Sequence, residues 1–210
     1  MQKYDHIPRA TIQRLATYMQ VLEIMKKDNI KITSSEPLAT ACDVNASQVR
    51  KDLAYFGEFG VRGVGYYVEY LLDAIKDCLH ANREWRTALI GVGNLGRALL
   101  NHQEFNRRGI RIVGAFDCDP FKIGEVAYGL EIFCSKRLQE KVPELGIELG
   151  IITTPPERAQ RAADQLIEAG VKGILNFSSS RITAPSHVNI EYVDFFHQIY
   201  SLTFNISTKN

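Results

Sequence analysis

Three glycines that follow an apolar run form the clearest candidate for phosphate binding in this chain. The segment directly after Ala88–Ile90 comprises Gly91, Val92, Gly93, Asn94, Leu95 and Gly96. In a loop that holds a dinucleotide pyrophosphate, the first glycine permits a tight turn, the second lets the backbone approach the phosphate, and the third lets the helix pack on the strand. The following helix offers unpaired N–H groups to the same phosphates. The spacing therefore predicts a dinucleotide site.

An acidic residue and a pair of threonines extend the predicted nucleotide site. Asp117 ends a second apolar run, Ile110–Phe116, where a carboxylate can accept hydrogen bonds from an adenosine ribose. Thr153, Thr154 and Pro155 end a later apolar run, and the threonine hydroxyls either contact the nicotinamide end or only cap the helix that follows. Because Asp117 would repel a 2′-phosphate, the pattern favours NAD(H) over NADP(H) as the cofactor.

Strand and helix patterns alternate through residues 86–190, and they predict the sheet that positions these loops. Apolar runs of strand length are separated by helical segments, which is typical of an α/β fold with a doubly wound parallel sheet. Ligands of such sheets bind at the carboxyl ends of the strands, where the predicted loops lie. We expect one continuous helix over Leu95–Phe105 and a short helix near Pro120–Ile123.

The residues before this region predict a separate domain. Apolar residues recur at helical spacing through Ile12–Leu22, and Ser34 or Ser35 can cap a second helix. Asn45 can cap a third helix, Ala46–Phe56, close behind the second. Two helices joined by so short a turn form a helix-turn-helix pattern.

The exposed face of the third helix carries polar groups suited to DNA. At about 100° per residue, Val49 and Leu53 face the core, and the opposite side presents a hydroxyl, an amide, a guanidinium and an ammonium group. Such groups can contact base edges and phosphates in a major groove. They belong to Ser47, Gln48, Arg50 and Lys51.

A glycine-rich segment after this helix predicts a hairpin that would serve as a wing. It covers Glu58–Val68, and its tip carries Arg62, which can enter a minor groove. A helix-turn-helix also occurs as a plain interaction fold, however, and residues 1–80 contain ten basic and ten acidic residues. Arg50 and Lys51 could therefore belong to an ordinary solvated surface, and the residues alone leave both interpretations open.

Composition narrows the class of protein. The 210 residues are 45% hydrophobic with a formal net charge of +1, so the charge by itself indicates neither a nucleic-acid nor a membrane partner. No apolar run approaches the roughly 20 residues of a membrane span, and we expect a cytoplasmic protein that contacts no membrane. The cysteines lack the spacing of a metal site or a disulfide framework, so no metal is expected. They are Cys42, Cys78, Cys118 and Cys134.

The last segment, Asp194–Ile206, predicts a helix with apolar residues over more than half of its surface. Such a helix is buried either against its own domain or in a second subunit. The second explanation is favoured because helix-turn-helix proteins normally bind DNA as symmetric dimers. We therefore predict a DNA-binding domain over 1–81, a Rossmann domain over 82–192 and a dimerisation helix over 193–210.

The order of these parts resembles the Rex family of bacterial redox-sensing transcriptional repressors over nearly the whole chain. The resemblance implies a homodimer whose winged helices bind an inverted-repeat operator in double-stranded DNA, a Rossmann domain that binds NAD(H), and a domain-swapped C-terminal helix. It also implies repression of genes for NADH-consuming metabolism, released when NADH binds. The motifs that carry it are Ser47–Leu53, Tyr55–Gly60, Arg62–Tyr66, Gly91–Gly96, Phe116–Asp117, Asp119–Pro120, Gly173–Phe177 and Val193–Asp194.

The resemblance also assigns roles to single residues. It implies that Arg14 and Asp194 pair across the domain interface in one state, and His102 stands where we would expect a tyrosine in the switch contact. Val61 is a second departure, because it leaves Arg62 as the one basic residue at the wing tip. Arg14, His102 and Asp194 could instead be ordinary surface groups. By motif match, the major-groove contacts are Ser47, Gln48, Arg50 and Lys51, and the wing contact is Arg62.

Two other functions use the same kind of nucleotide-binding fold. An NAD-dependent dehydrogenase with an N-terminal accessory domain would need a substrate domain and a proton-transfer group, and the five histidines show no recognisable catalytic setting. A CoA-binding module is the other alternative, because Thr153, Thr154 and Pro155 resemble loops of CoA-binding Rossmann domains, although Asp117 argues against it. We expect a repressor without catalytic residues.

Overall fold

The protein is described by a computed structural model that covers residues 7–208. The chain divides into two compact units, of which the first ends at Arg83 and the second begins at Glu84. Over residues 7–208, no helix is long and apolar enough to cross a membrane. The same residues contain no cluster of His, Cys, Asp and Glu side chains arranged to hold a metal ion.

The first unit is a helix-turn-helix to which a short two-stranded sheet is added. Its core lies between α1, α3 and α4, where Leu15, Leu53 and Leu71 are buried. Asn45 caps α3 as the sequence predicts, because its side chain accepts a hydrogen bond from the backbone N–H of Gln48 at 2.8 Å. The elements are α1 (Arg9–Lys27), β1 (Ile32–Thr33), α2 (Ser35–Ala41), α3 (Ala46–Ala54), β2 (Tyr66–Tyr67) and α4 (Val68–Cys78).

The wing is less regular than the hairpin predicted over Glu58–Val68. Only Val61 and Gly65 pair with each other there, through two backbone hydrogen bonds of 2.7 and 2.9 Å. The strand that follows, β2, pairs instead with β1 in an antiparallel register. Gly65 makes this approach possible, because a Cβ at its position would overlap the carbonyl oxygen of Thr33.

The second unit is built on a seven-stranded sheet in the order β5-β6-β4-β3-β7-β8-β9. All neighbouring strands are parallel except β5 and β6, so the predicted doubly wound sheet is confirmed. The strands are β3 (Trp85–Ile90), β4 (Ile110–Asp117), β5 (Val126–Ala127), β6 (Leu130–Cys134), β7 (Leu149–Ile152), β8 (Gly173–Asn176) and β9 (Asn189–Tyr192).

Helices cover both faces of this sheet and give it two cores. Successive residues of β3 point to opposite faces, so that Ala88 and Ile90 join one buried cluster and Leu89 joins the other. The helices are α5 (Asn94–Leu100), α6 (Gln103–Arg107), α7 (Leu138–Glu144), α8 (Pro156–Glu168) and α9 (Phe195–Ser207), and a 3-10 turn, Ser135–Arg137, precedes α7.

Two local predictions for this unit are wrong. The helix expected over Leu95–Phe105 is interrupted at His102, whose extended backbone (φ −82°, ψ 98°) ends α5 and begins α6. The segment Pro120–Ile123 is a turn, in which the N–H groups of Lys122 and Ile123 donate to the backbone carbonyl oxygen of Asp119 at 3.1 and 3.2 Å and no regular helix follows. The strands β5 and β9 are too short to show the alternation of apolar residues that predicts a strand.

The terminal helix α9 forms as the sequence predicts, but its apolar side chains are exposed. Asp194 caps it by accepting hydrogen bonds from the N–H groups of Phe196 and His197 at 2.9 and 3.3 Å. All residues of this helix are exposed, and the exposed fraction reaches 67% for Phe204 and 69% for Tyr200. Exposed apolar surface of this extent marks an interaction site.

Candidate dinucleotide and DNA-binding sites

The glycine loop connects β3 to α5, and the packing around Gly91 and Gly96 leaves no room for a side chain. Gly91 has φ +96°, and a Cβ there would lie 2.9 Å from the backbone of Thr153. Gly96 lets α5 pack on the sheet, because a Cβ there would overlap the carbonyl oxygen of Gly91. A Cβ on Gly93 would meet no atom within 4 Å, so this backbone faces open space where a phosphate can approach.

Asp117 fastens the glycine loop to the end of β4. One carboxylate oxygen accepts hydrogen bonds from the N–H of Val92 at 2.8 Å and from Lys122 Nζ at 3.2 Å. The other accepts from the N–H groups of Cys118 and Asp119 at 2.8 and 3.0 Å. Burial raises the pKa of Asp117, but the N–H groups of Asp119 and Val92 and the Lys122 ammonium outweigh burial and lower it overall.

A cleft of about 740 Å³ opens beside this loop at the carboxyl ends of the strands. It has the position expected for the ligand of a doubly wound sheet and the size of a small-molecule site. Sequence reasoning missed the α8 side chains Arg158, Arg161 and Gln165, because the register of α8 against the sheet cannot be read from one sequence. The predicted residues among its lining are Gly91, Gly93, Asp117, Thr153, Thr154 and Pro155.

The two threonines after β7 have different environments. Thr153 ties the strand end to the glycine loop, since its hydroxyl donates to the carbonyl oxygen of Gly91 at 2.7 Å. Thr154 Oγ1 is buried and, among residues 7–208, has no hydrogen-bond partner. Neither threonine caps α8, whose N-cap is Pro155. A buried hydroxyl without a partner is costly, and Thr154 is therefore the one suited to a ligand group in the cleft.

The predicted DNA-binding face lies on α3 and the wing. Ser47, Arg50, Lys51 and Arg62 are all exposed, and Gln48 is half-buried. The guanidinium of Arg50 is held close to α2, because its Nη1 donates to Ser35 Oγ at 2.7 Å.

Asp52 is a buried carboxylate within α3, and the sequence alone gives no signal of its burial. Its side chain is fully buried. The guanidinium of Arg14 binds both carboxylate oxygens, at 2.6 and 2.7 Å. Thr11, Tyr18 and Gln48 donate further hydrogen bonds at 3.0, 2.8 and 2.9 Å. Burial raises the pKa of Asp52, but the hydrogen bonds from Arg14, Tyr18, Gln48 and Thr11 outweigh it and lower the pKa overall.

The three predicted switch residues lie in different surroundings. Arg14 is held by Asp52, and its side chain is 27% exposed. Asp194 is exposed and caps α9. His102 is exposed at the start of α6, and its ring is perpendicular to that of Phe105, with the ring centroids 5.8 Å apart. The proposed pairing of Arg14 with Asp194 remains a prediction.

Two family models match the chain, one over much of each structural unit. Residues 6–54 match the family "Putative DNA-binding protein N-terminus". Residues 82–180 match the family "CoA binding domain". The second match covers the glycine loop, Asp117 and the threonines after β7.

Similar proteins of established name cover the chain almost from end to end. The redox-sensing transcriptional repressor Rex of Maridesulfovibrio salexigens is 61% identical over 98% of this chain and 99% of its own length. The protein of the same name from Solidesulfovibrio magneticus is 62% identical over 98% and 93%. The repressor Rex 1 of Thermotoga maritima is 44% identical over 98% and 99%.

Solved structures of a related protein have the same fold. The crystal structure of RSP in complex with β-NAD⁺ and operator DNA aligns with a TM-score of 0.91 at 32% identity, over 97% of this chain and 94% of that one. RSP in complex with β-NADH aligns with a TM-score of 0.90 at 31% identity, over 97% and 96%. RSP is a Rex-family repressor.

Alanine at Gly93 and at Gly96 should separate ligand access from folding. Gly93→Ala places a methyl group in open space, so we expect an unfolding free energy within about 0.5 kcal/mol of wild type. We expect its dinucleotide affinity to fall about tenfold or more, because the methyl group occupies the phosphate approach. Gly96→Ala should instead cost about 1–3 kcal/mol of stability by overpacking. Urea denaturation and calorimetry with NADH measure both; a stable Gly93→Ala variant with full affinity would contradict the assignment.

The Lys122–Asp117 contact should give a pH-dependent contribution to stability. Since the folded-state pKa of Asp117 is lowered, its carboxylate stabilises the fold above its unfolded pKa of about 3.9. That contribution is lost as the pH falls through the folded-state value. Lys122→Met should cost about 1 kcal/mol near neutral pH, and the difference from wild type should vanish in acid.

Urea denaturation of the wild type and of Lys122→Met, from neutral pH down to acid, measures this difference in the free energy of unfolding. Lys172→Met is the matched control, because Lys172 forms an exposed ion pair with Glu148 on another part of the unit. A loss at Lys122 that is the same in acid as at neutral pH would show that the ion pair with Asp117 does not cause it.

Proposed function

The chain belongs to the Rex family of redox-sensing transcriptional repressors, and we propose that it represses genes by binding operator DNA until NADH occupies its cleft. The observation that carries this proposal is the presence, in one chain, of a dinucleotide cleft and an exposed polar recognition helix. RSP, which shares this fold, is bound to β-NAD⁺ and operator DNA in one crystal structure and to β-NADH in another. The protein therefore reports the ratio of NADH to NAD⁺.

The cleft would hold NAD(H) through contacts of three kinds. The backbone of Gly91–Gly96 and the start of α5 face the pyrophosphate. Asp117 and Lys122 lie where the adenosine ribose would bind, and Lys122 can exchange its hydrogen bond with Asp117 for one to a ribose hydroxyl. Thr154, whose buried Oγ1 has no partner among residues 7–208, supplies a hydroxyl for the nicotinamide half.

Discrimination between the two redox states must arise at the nicotinamide. NAD⁺ and NADH share the adenosine and pyrophosphate, so contacts from the glycine loop and Asp117 bind both forms. The oxidised ring is cationic and the reduced ring is neutral. A pocket that offers the cation no carboxylate would favour NADH, because removing a charge from water is costly. Shifting a two-state equilibrium almost completely needs about 5 kcal/mol of differential binding.

The DNA contacts would come from α3 and the wing. Ser47, Gln48, Arg50 and Lys51 face the major groove, and Arg62 at the wing tip reaches the minor groove. Because the first unit carries no large positive charge, affinity depends on these few local groups. Recognition of an inverted repeat needs two such helices spaced by one turn of DNA, roughly 34–36 Å.

A homodimer bound through α9 would supply the second recognition helix. The exposed apolar side chains of α9, with Phe196 at 62% and Leu202 at 59%, need a partner surface. A second copy of the chain can provide it by exchanging α9 between subunits. The family pairing of Arg14 with Asp194, and a contact from His102, would then distinguish the DNA-bound state from the released state.

The same observations argue against the two alternative functions. A dehydrogenase needs a proton-transfer group beside the nicotinamide, whereas the relatives that match this chain over nearly its full length are named transcriptional repressors. The match to the CoA binding domain model concerns a fold that both ligands share, and Asp117 could accept a ribose hydroxyl in place of Lys122. We propose a cytoplasmic regulator without enzymatic activity.

Operator binding at fixed salt tests the proposal. The full-length protein should bind a duplex with an inverted repeat, selected from a library, and added NADH should weaken this binding about tenfold or more, whereas NAD⁺ should not. Fluorescence anisotropy measures the affinity. A duplex with a single half-site is the matched control for the dimer, and it should bind more weakly.

Three outcomes would contradict this proposal. An operator affinity that NADH leaves unchanged would exclude redox sensing by this protein. Equal affinity for the half-site and the full repeat would exclude binding as a symmetric dimer. Sustained hydride transfer from NADH to a panel of small carbonyl compounds would favour the dehydrogenase.

A further inference from the structure

The buried carboxylate of Asp52 links the DNA-binding face to the helix that carries Arg14. Asp52 lies on α3, one turn after Gln48, and its oxygens face α1 rather than solvent. Thr11, Arg14 and Tyr18 on α1 donate hydrogen bonds to it, and Gln48 on α3 does the same. All four of these donors are polar groups, so core packing alone does not account for their positions around Asp52.

The hydrogen bonds to Asp52 fill its acceptor capacity. A carboxylate offers about four lone-pair sites, and one oxygen accepts from Thr11, Arg14 and Gln48 while the other accepts from Arg14 and Tyr18. An ionised group without solvent contact is tolerated only when it is paired and hydrogen-bonded in this way. Losing any donor therefore leaves a buried charge less well compensated.

The contact with Gln48 fixes the side chain that the DNA-binding proposal needs. Gln48 Nε2 donates to Asp52 Oδ1 at 2.9 Å. A glutamine amide has two N–H protons and one carbonyl oxygen, so one proton is held and the other proton and the oxygen remain available. Those two groups are what a glutamine uses to bind N7 and N6 of adenine together. A free glutamine would have to lose rotamer freedom to do so.

Arg14 retains donors beyond those that Asp52 and Thr11 occupy. Its Nε and Nη2 bind Asp52, and Nη2 also donates to Thr11 at 3.2 Å. A guanidinium has five N–H donors, so the two protons on Nη1 are not used by these contacts. Arg14 can therefore bind a second carboxylate without releasing Asp52.

We propose that Asp52 is a positioning residue for DNA recognition, which holds the amide of Gln48 in the orientation that meets a base edge and couples that orientation to Arg14. This inference rests on the proposed function. Asp52 touches no DNA itself; it acts through Gln48. We therefore expect the charge on Asp52 to affect base preference at the position that Gln48 contacts. The general affinity for DNA should not depend on that charge.

A double-mutant cycle in the full-length protein tests the coupling. Asp52→Asn keeps the shape of the side chain but removes its charge, and it should weaken operator binding about tenfold or more while binding to a scrambled duplex stays the same. In a Gln48→Ala background, Asp52→Asn should change operator affinity by less than about twofold. An equal loss in both backgrounds would overturn the proposal, because the role would then be structural only.

Tyr18→Phe is the matched control. It removes one hydrogen bond to the same buried carboxylate but none to Gln48. We expect a lower melting temperature with an unchanged base preference. A change of base preference in Tyr18→Phe as large as that in Asp52→Asn would contradict the assignment to Gln48.

The side-chain amide of Gln48 gives an independent test that needs no folded Asp52 variant. In ¹H–¹⁵N spectra of the wild-type protein without DNA, its resonances are identified by their absence in Gln48→Ala. One Nε2 proton should exchange slowly with solvent, because it is held by a buried acceptor. Exchange of both protons at the rate of an exposed glutamine would overturn the proposal. If the wild type binds no operator, the proposed function fails, while this measurement still decides the positioning of Gln48.

Discussion

A buried carboxylate must have its oxygens hydrogen-bonded, and each unit of this protein uses one such group to hold its functional element. Asp52 is fully buried and Asp117 is 6% exposed. Asp117 accepts the N–H of Val92 and so fixes the glycine loop, whereas Asp52 accepts the amide of Gln48 and the guanidinium of Arg14. In both units the cost of burying charge is offset by donors from the element that needs to be positioned.

The glycine loop alone suggests a dehydrogenase, and its setting changes that interpretation. In the account proposed here, the loop and Asp117 hold the half of the cofactor that NAD⁺ and NADH share. The signal comes from the nicotinamide half, where the two forms differ by a charge. The exposed apolar surface of α9 fits the same proposal, because in the proposed dimer a change in each cleft would alter the spacing of two recognition helices.

Much of this architecture could be predicted from the sequence, because it follows from local patterns. The alternation of apolar runs predicts the parallel sheet, and the spacing from Gly91 to Gly96 predicts the tight loop between β3 and α5. The wing is predicted, but its irregular pairing and the interruption at His102 are not, since they depend on pairing between distant segments and on the backbone of single residues. The burial of Asp52 could not be predicted, because it arises from α1, whose packing against α3 has no signature in the sequence of either helix. The α8 side chains that line the cleft were missed for the same reason.

The central claim is that NADH and operator DNA compete through the conformation of one protein, and reciprocity tests it most directly. If NADH weakens operator binding by a given factor, the operator must weaken NADH binding by the same factor. Calorimetric titration of NADH into the full-length protein, with and without saturating operator, measures that factor. We predict lower NADH affinity in the presence of operator, by the factor found from the DNA side, and no such loss for NAD⁺. An NADH affinity that saturating operator leaves unchanged would contradict the account.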